Sequence, residues 1–285
     1  MSILSFTQSE HTRFELLHFI QNSLQPELWQ QNTQAIANLK RQTHCHILFK
    51  HPILVQLNQS QLTLEQLKFI HINYFTAIVK NFTDALSMVI YQAVSLEKNH
   101  NIHPENRIAA KIYARYLLSL NLIDELGFNT HQLEKSAASK SHLVYFLKLM
   151  QQLELDPLDP LDQQQTEIEA FALAQFIHQH INSYTELLLI LACTELQVIK
   201  FSEALRNNMS IYNSKFIEGY YACHGLADQN DATLANDDNH QDDIWTLLIQ
   251  CYDQNNQQYL DQVQSEYLEL WNNFWSKMAT RITEI

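Results

Sequence analysis

Apolar side chains recur every three or four residues along most of the chain, which is the spacing of one face of an α-helix. Pro26 and Thr63 are typical residues at a helix start, Gly127 is a typical helix stop, and a break is predicted near Asn182. The pattern predicts helices over residues 9–21, from 26 onwards, 64–96, 107–126, 139–153, 167–206, 210–224 and 244–281. Connections are predicted over residues 98–105, 156–165 and 227–243.

The composition supports a fold made of helices alone. The 285 residues include 3 glycines and 5 prolines. β-Sandwiches, barrels and dinucleotide-binding α/β folds need many more glycine-dependent turns and phosphate loops. We therefore expect one all-α domain over residues 1–285, a helical bundle of about seven or eight helices.

Charge and apolar run length limit the expected partners and location. The chain has 31 acidic and 18 basic residues and a formal net charge of −13, so it repels nucleic-acid phosphates and anionic membranes. No signal peptide is visible, and the longest apolar run, 187–193, is too short to span a bilayer. The four cysteines show no Cys-x-x-Cys spacing and are expected to be reduced. These features predict a cytoplasmic protein without nucleic-acid or membrane partners.

Polar residues on apolar helix faces are the candidate functional residues. Glu195 lies on a stripe with Leu191 and Val198, where a carboxyl group must be protonated, paired with a cation or bound to a metal. His142, His224 and His240 each lie beside an apolar stripe. A single histidine there is more often a core residue than a ligand. Three histidines with a carboxylate instead indicate an iron or manganese site.

Six segments, in this order, resemble motifs of the haem-oxygenase-like di-iron oxidases and oxygenases. The resemblance is strongest over residues 51–248. The segments are HPILVQLNQSQLTLEQLKFIHINYFTAIVKNF from residue 51, NLIDELG from 121, HLVYFLKLMQQLEL from 142, ACTELQ from 192, YYACHGLAD from 220 and DDNH from 237.

The resemblance implies a haem-oxygenase-like bundle in which three carboxylates and three histidines hold two Fe²⁺ ions, with manganese as an alternative at one position. The implied metal ligands are Glu125, His142, Glu195, His224, Asp237 and His240.

Three positions in the implied ligand set have alternatives. Asp124 competes with Glu125, although the glutamate side chain is longer. The interval from Glu125 to His142 exceeds the usual spacing of the family, which makes His131 a substitute for His142. The final motif is split by an insertion, which makes Asp228 an alternative to Asp237.

The resemblance also implies an activity. The chain is expected to activate O₂ and oxidise a small organic substrate such as an amine, amino acid or fatty acid, with no catalytic residue beyond the metal ligands. A homodimer is one expected assembly. The alternative is a metal-free bundle of the same superfamily, which includes thiamin-degrading and quinone-cofactor-forming enzymes. Such a bundle would act as a cofactor-free oxidase or hydrolase, or as a non-enzymatic interaction protein.

Overall fold

The protein is all-α. The computed structural model describes residues 12–129, 132–224 and 236–285, with the backbone alone for Thr12, Pro160 and residues 236–241. No strand occurs within these ranges. The α-helices are α1 Thr12–Asn22, α2 Pro26–Cys45, α3 Pro52–Asn58, α4 Leu64–Tyr74, α5 Lys80–Gln92, α6 Arg107–Glu125, α7 His142–Gln152, α8 Pro160–Gln163, α9 Ile168–His180, α10 Tyr184–Ser210, α11 Tyr220–Cys223, α12 Asn236–Cys251 and α13 Gln257–Arg281.

Helix α10 lies at the centre of the packing. It contacts α3, α5, α9, α12 and α13, and its side chains are buried on nearly all sides from Leu187 to Val198. Buried hydrophobic residues from α1 through α13 join in a single cluster around it. A carboxylate in the middle of this helix, such as that of Glu195, is therefore placed in the core rather than in solvent.

Several predicted elements are confirmed. Thr63 starts α4 with a capping box, in which its side chain accepts from the Gln66 backbone N–H and the Gln66 side chain accepts from the Thr63 N–H. The predicted break near Asn182 separates α9 from α10. Pro26 lies in the first turn of α2. These are local signals, which short segments satisfy without help from the rest of the fold.

Two predicted helices are wrong as single elements. The segment 210–224 is a 3₁₀ turn over Ser214–Ile217 followed by the short α11, because Gly219 adopts a positive φ of 65° between them. The segment 244–281 is divided between α12 and α13 by residues 252–256, where the Asp253 side chain caps a 3₁₀ turn. Helix α12 also begins at Asn236, inside the predicted connection. These extra breaks explain why more helices are seen than the seven or eight expected.

The long helix predicted over residues 64–96 contains a π-helical segment, Phe75–Val79, between α4 and α5. The Asn81 side-chain amide donates to the Thr76 carbonyl oxygen at 3.0 Å. This hydrogen bond gives the Thr76 carbonyl oxygen a partner in a segment where the wider π-turn changes the regular backbone pairing. Such single-turn π-bulges occur frequently at functional sites, which directs attention to the side chains on this segment.

None of the helices in the described part of the chain is both long and apolar enough to cross a membrane.

Candidate metal site

Four separate helices bring carboxylates and imidazoles to one place in the core. Glu125 is the last residue of α6, His142 is the first residue of α7, and His224 directly follows α11. One ligand atom from each lies within 4.8 Å of the others, and all three side chains are buried. Glu195, from the middle of α10, lines the same cavity. The chain therefore assembles two carboxylates and two imidazoles from residues that are far apart in sequence.

Gly127 positions the first two of these residues. Helix α6 ends before it, and its φ of +83° is a conformation that glycine adopts without strain. A Cβ atom at this position would lie 2.5 Å from the Ala137 carbonyl oxygen and 2.6 Å from the Ser141 backbone nitrogen. The Ala137 N–H also donates to the Gly127 carbonyl at 3.1 Å. This close packing holds the start of α7 against the end of α6, which places His142 beside Glu125.

The Glu125 and His142 side chains meet in an unusual geometry. His142 Nδ1 lies 2.9 Å from Glu125 Oε1, yet the fully buried Nδ1 forms no hydrogen bond of normal geometry with any residue that the structure describes. Burial alone would lower the pKa of His142, but the Glu125 carboxylate and the Cys223 thiol raise it well above its ordinary value. Two ligand atoms that are close but do not point at each other suit a shared third atom between them, as two metal ligands do.

His224 completes the three-residue group. Its ring lies 4.7 Å from the His142 ring and 4.5 Å from the Tyr220 ring, measured between centroids. Gly219 starts the short helix α11 that carries these residues, and a Cβ there would lie 3.0 Å from the Tyr145 ring. Because glycine permits this close approach, α11 packs against α7 and turns His224 towards His142.

Glu195 is held by a neighbour on α6. Its side chain is buried, and Asn121 Nδ2 donates to Glu195 Oε1 at 2.9 Å. Asn121 lies four residues before Glu125 and is itself buried, so one face of α6 supplies both a carboxylate and the amide that orients a second carboxylate. A donor of this kind fixes the direction of a ligand oxygen, as outer residues do around metal sites.

Apolar side chains complete the cavity, which is small, with a volume of about 20 Å³. Ile78 and Val79 come from the π-helical segment, and Phe82, Leu143 and Val198 come from the adjoining helices. Neutral imidazoles with carboxylates are the donors that iron and manganese take in proteins, and an apolar shell limits the access of water. The residues present therefore fit a bound iron or manganese ion.

His71 lies behind the wall of this cavity. Its ring stacks on Phe146 at 5.9 Å, and its Nδ1–H donates to the Leu67 carbonyl at 2.6 Å. Since that nitrogen donates, Nε2 of the neutral ring accepts from the Tyr221 hydroxyl, 2.6 Å away. Burial lowers the pKa of His71 to about 4, against a smaller opposing effect of the Leu67 bond. His71 is thus a neutral packing residue.

The remaining predicted ligands are not placed. Asp228 and the alternative His131 lie outside the described residues. Asp237 and His240 lie on α12, which packs against α6 and α10, but their side chains are also outside the described residues. Asp124 is half-buried, and the ligand group formed by described residues contains its neighbour Glu125 instead.

Two residues at the site were missed or misjudged from the sequence. Asn121 could have been found as an amide one helical turn before Glu125 on a buried face. Cys223 was not among the predicted site residues, but it is half-buried and its thiol contributes to the raised pKa of His142. Burial raises the thiol pKa of Cys193 to about 11 and that of Cys251 to about 12.

Neither models of known protein families nor curated protein sequences match this chain.

Proposed function

We propose that this protein is a non-haem di-iron oxidase or oxygenase of the haem-oxygenase-like family, which activates O₂ to oxidise a small organic substrate. The observation that carries the proposal is the buried group of Glu125, His142 and His224, with Glu195 on the same cavity. These four residues belong to the ligand set that the family resemblance implies, and they come from four different helices.

The energetic cost of this arrangement supports a metal role. Carboxylates and imidazoles that are buried together lose hydration, and a bound cation offsets that loss. Within the described part of the chain, His142 Nδ1 has no hydrogen bond of normal geometry although it lies 2.9 Å from a carboxylate oxygen. A cation between the two groups would satisfy both.

In the proposed enzyme the protein contributes ligands, orientation and exclusion of water. Glu125, His142 and His224 would hold one side of the centre, and Glu195, oriented by Asn121, would face it from α10. Asp237 and His240, which lie near the start of α12, would complete the set, with Asp228 as the alternative to Asp237. Bound ferrous iron would supply the electrons that reduce O₂. The apolar shell of Ile78, Val79 and Phe82 would keep water from reacting groups.

Anaerobic Fe²⁺ titration of the metal-free protein tests the proposal. We expect two irons per wild-type chain and a loss of at least one iron in Glu195→Ala and in His224→Ala. Matched controls are Glu186→Ala, on the same helix but half-buried and close to His180, and His178→Ala on α9. Both controls should retain two irons. Circular dichroism should show the helical fold in all variants.

Two irons retained by both site variants would refute the proposal. So would the absence of Fe²⁺ and Mn²⁺ binding to the folded wild-type protein.

A second candidate function rests on Cys223. Its thiol contributes to the raised pKa of the His142 imidazole, which in turn lies 2.9 Å from the Glu125 carboxylate. A thiol, an imidazole and a carboxylate in this order form the arrangement of a cysteine nucleophile with its base and orienting group. This favours a metal-free hydrolase as the alternative to the oxidase.

Cys223→Ser separates the two functions. The di-iron proposal predicts that Cys223→Ser keeps two irons, because the thiol is not in the proposed ligand set. If the protein is a nucleophilic hydrolase, iodoacetamide should alkylate Cys223 of the wild-type protein faster than it alkylates the exposed Cys45. Mass spectrometry of the alkylated peptides measures this preference.

A further inference from the structure

A second cavity lies on the other side of the π-helical segment. It has a volume of about 200 Å³, and it lies between Phe75–Val79 and the residues around α8. Phe75 and Thr76 line this second pocket, whereas Ile78 and Val79 line the candidate metal site. The ligands of that site take no part in it.

Apolar residues form half of its lining. Ile72, Phe75, Pro157 and Phe171 line the interior. On the outside, Leu158, Leu161 and Ile168 follow the same stretch of chain with 81%, 70% and 76% of their surfaces exposed. Exposed apolar side chains close in sequence to pocket-lining residues favour an apolar ligand at this place.

Lys80 supplies the charge. It is the charged residue among the described residues that line the pocket, it is exposed, and it forms no ion pair with any described residue. Three aspartates of the neighbouring loop instead accept hydrogen bonds from that loop, mainly from its own backbone. These residues are Asp156, Asp159 and Asp162. The polar ends of Thr76, Gln163 and Thr166 complete a rim that can donate hydrogen bonds.

We infer that this second pocket binds a small molecule with an apolar body and a single carboxylate, the apolar body between Phe75 and Phe171 and the carboxylate at Lys80. A carboxylate suits a lysine that has no ion-pair partner in the described part of the chain, and the apolar side chains of the pocket provide the larger share of the affinity. The site is independent of the proposed iron centre, and its occupancy requires no metal.

Calorimetric titration of the metal-free protein with octanoate tests the inference. We expect saturable binding of one octanoate per chain, with a Kd of about 1 mM or lower. Hexanoate should bind about 15-fold more weakly, because two methylene groups leave the apolar walls. Lys80→Met should weaken octanoate binding by about three- to fivefold, a modest change because the lysine is exposed.

A charge reversal gives the sharper readout. Lys80→Glu should reverse the preference, so that octylamine binds more tightly than octanoate. The matched control Lys50→Glu changes an exposed lysine outside the pocket and should leave octanoate preferred. Thr166→Trp should fill the pocket and abolish binding of both molecules, with circular dichroism to show that the variant is folded.

Unchanged ligand preference in Lys80→Glu would overturn the inference, because octanoate would then bind elsewhere. Absence of saturable octanoate binding to the wild-type protein would also overturn it. Neither result would bear on the iron titration, which uses different residues.

Discussion

Replacing Asn121 by leucine should separate the role of a positioning residue from that of a structural one. Asn121 donates to Glu195 Oε1 at 2.9 Å, and both side chains are buried. A hydrogen bond to a buried carboxylate contributes about 1.5–3 kcal/mol, so we expect the metal-free variant to lose about 2 kcal/mol of stability. The entropy of unfolding of a chain of 285 residues at Tm is about 0.6 kcal/mol/K, which converts this loss to a fall in Tm of about 3 °C.

The same substitution should also weaken iron binding. Loss of an outer hydrogen bond to a metal ligand typically reduces affinity by about 10- to 100-fold, because the ligand oxygen is no longer held in direction. Competition with a chromophoric chelator under anaerobic conditions measures this change. Thermal unfolding of the metal-free protein measures the change in stability.

Asn208→Leu is the matched control. Asn208 is fully buried on the same helix as Glu195, and its amide bonds to the Leu62 backbone on both sides. Asn208→Leu should therefore lose stability to a similar extent without changing iron affinity. Equal iron affinities in the two variants would refute the positioning role of Asn121, and an unchanged Tm in Asn121→Leu would refute the buried hydrogen bond.

Three further predictions follow from buried groups outside the ligand set. The pKa of His71 is lowered to about 4 by burial, so its contribution to stability is full above pH 6.5 and is lost as the pH falls towards 4. Denaturant unfolding at pH 7 and pH 5 measures this loss. From pH 7 to pH 5, the free energy of unfolding of the wild-type protein should fall by about 2 kcal/mol more than that of His71→Leu. Equal decreases would contradict the buried neutral imidazole. Gly127→Ala should lower the free energy of unfolding by about 2 kcal/mol or more, because alanine is strained at φ +83° and its Cβ would clash with backbone atoms. A decrease below about 0.5 kcal/mol would show that this turn relaxes freely. Arg13 Nη2 lies 2.7 Å from the buried Asp243 carboxylate, and the arginine is one-third exposed. Arg13→Gln should therefore lower the free energy of unfolding by about 1–2 kcal/mol. The same substitution made in Asp243→Asn should not lower it further, which a double-mutant cycle measures.

Local patterns in the sequence were sufficient for the class of fold and for individual buried residues. Low glycine content and helical periodicity predicted an all-α protein, and the stripe around Glu195 predicted its burial, which the structure confirms. The capping residue Thr63 and the stop at Gly127 were also found in this way. Each of these features depends on residues within a few positions of one another, and the energetic preferences involved act locally.

Breaks in helices were harder to predict. The apolar pattern continues through Gly219 and through residues 252–256, yet the helices stop there. At Gly219 the chain packs closely against the Tyr145 ring in a conformation of positive φ. The apolar pattern gives no sign of that conformation. The π-turn at Phe75–Val79 likewise depends on side chains packed on both sides of it.

Tertiary structure decides which site residues meet. From the sequence, their meeting was predicted only through the family resemblance and not from the helical pattern. Periodicity showed that Glu195, His142 and His224 lie on apolar faces, but a buried face does not specify which other face it packs against. The contact of Glu125 with His142 depends on the glycine-based turn between α6 and α7, and Asn121 becomes relevant only because α10 places Glu195 beside it. The sequence by itself therefore indicated which groups lie on apolar faces, and long-range packing determined which of them are neighbours, because an apolar face is a property of one helix and contact is a property of two.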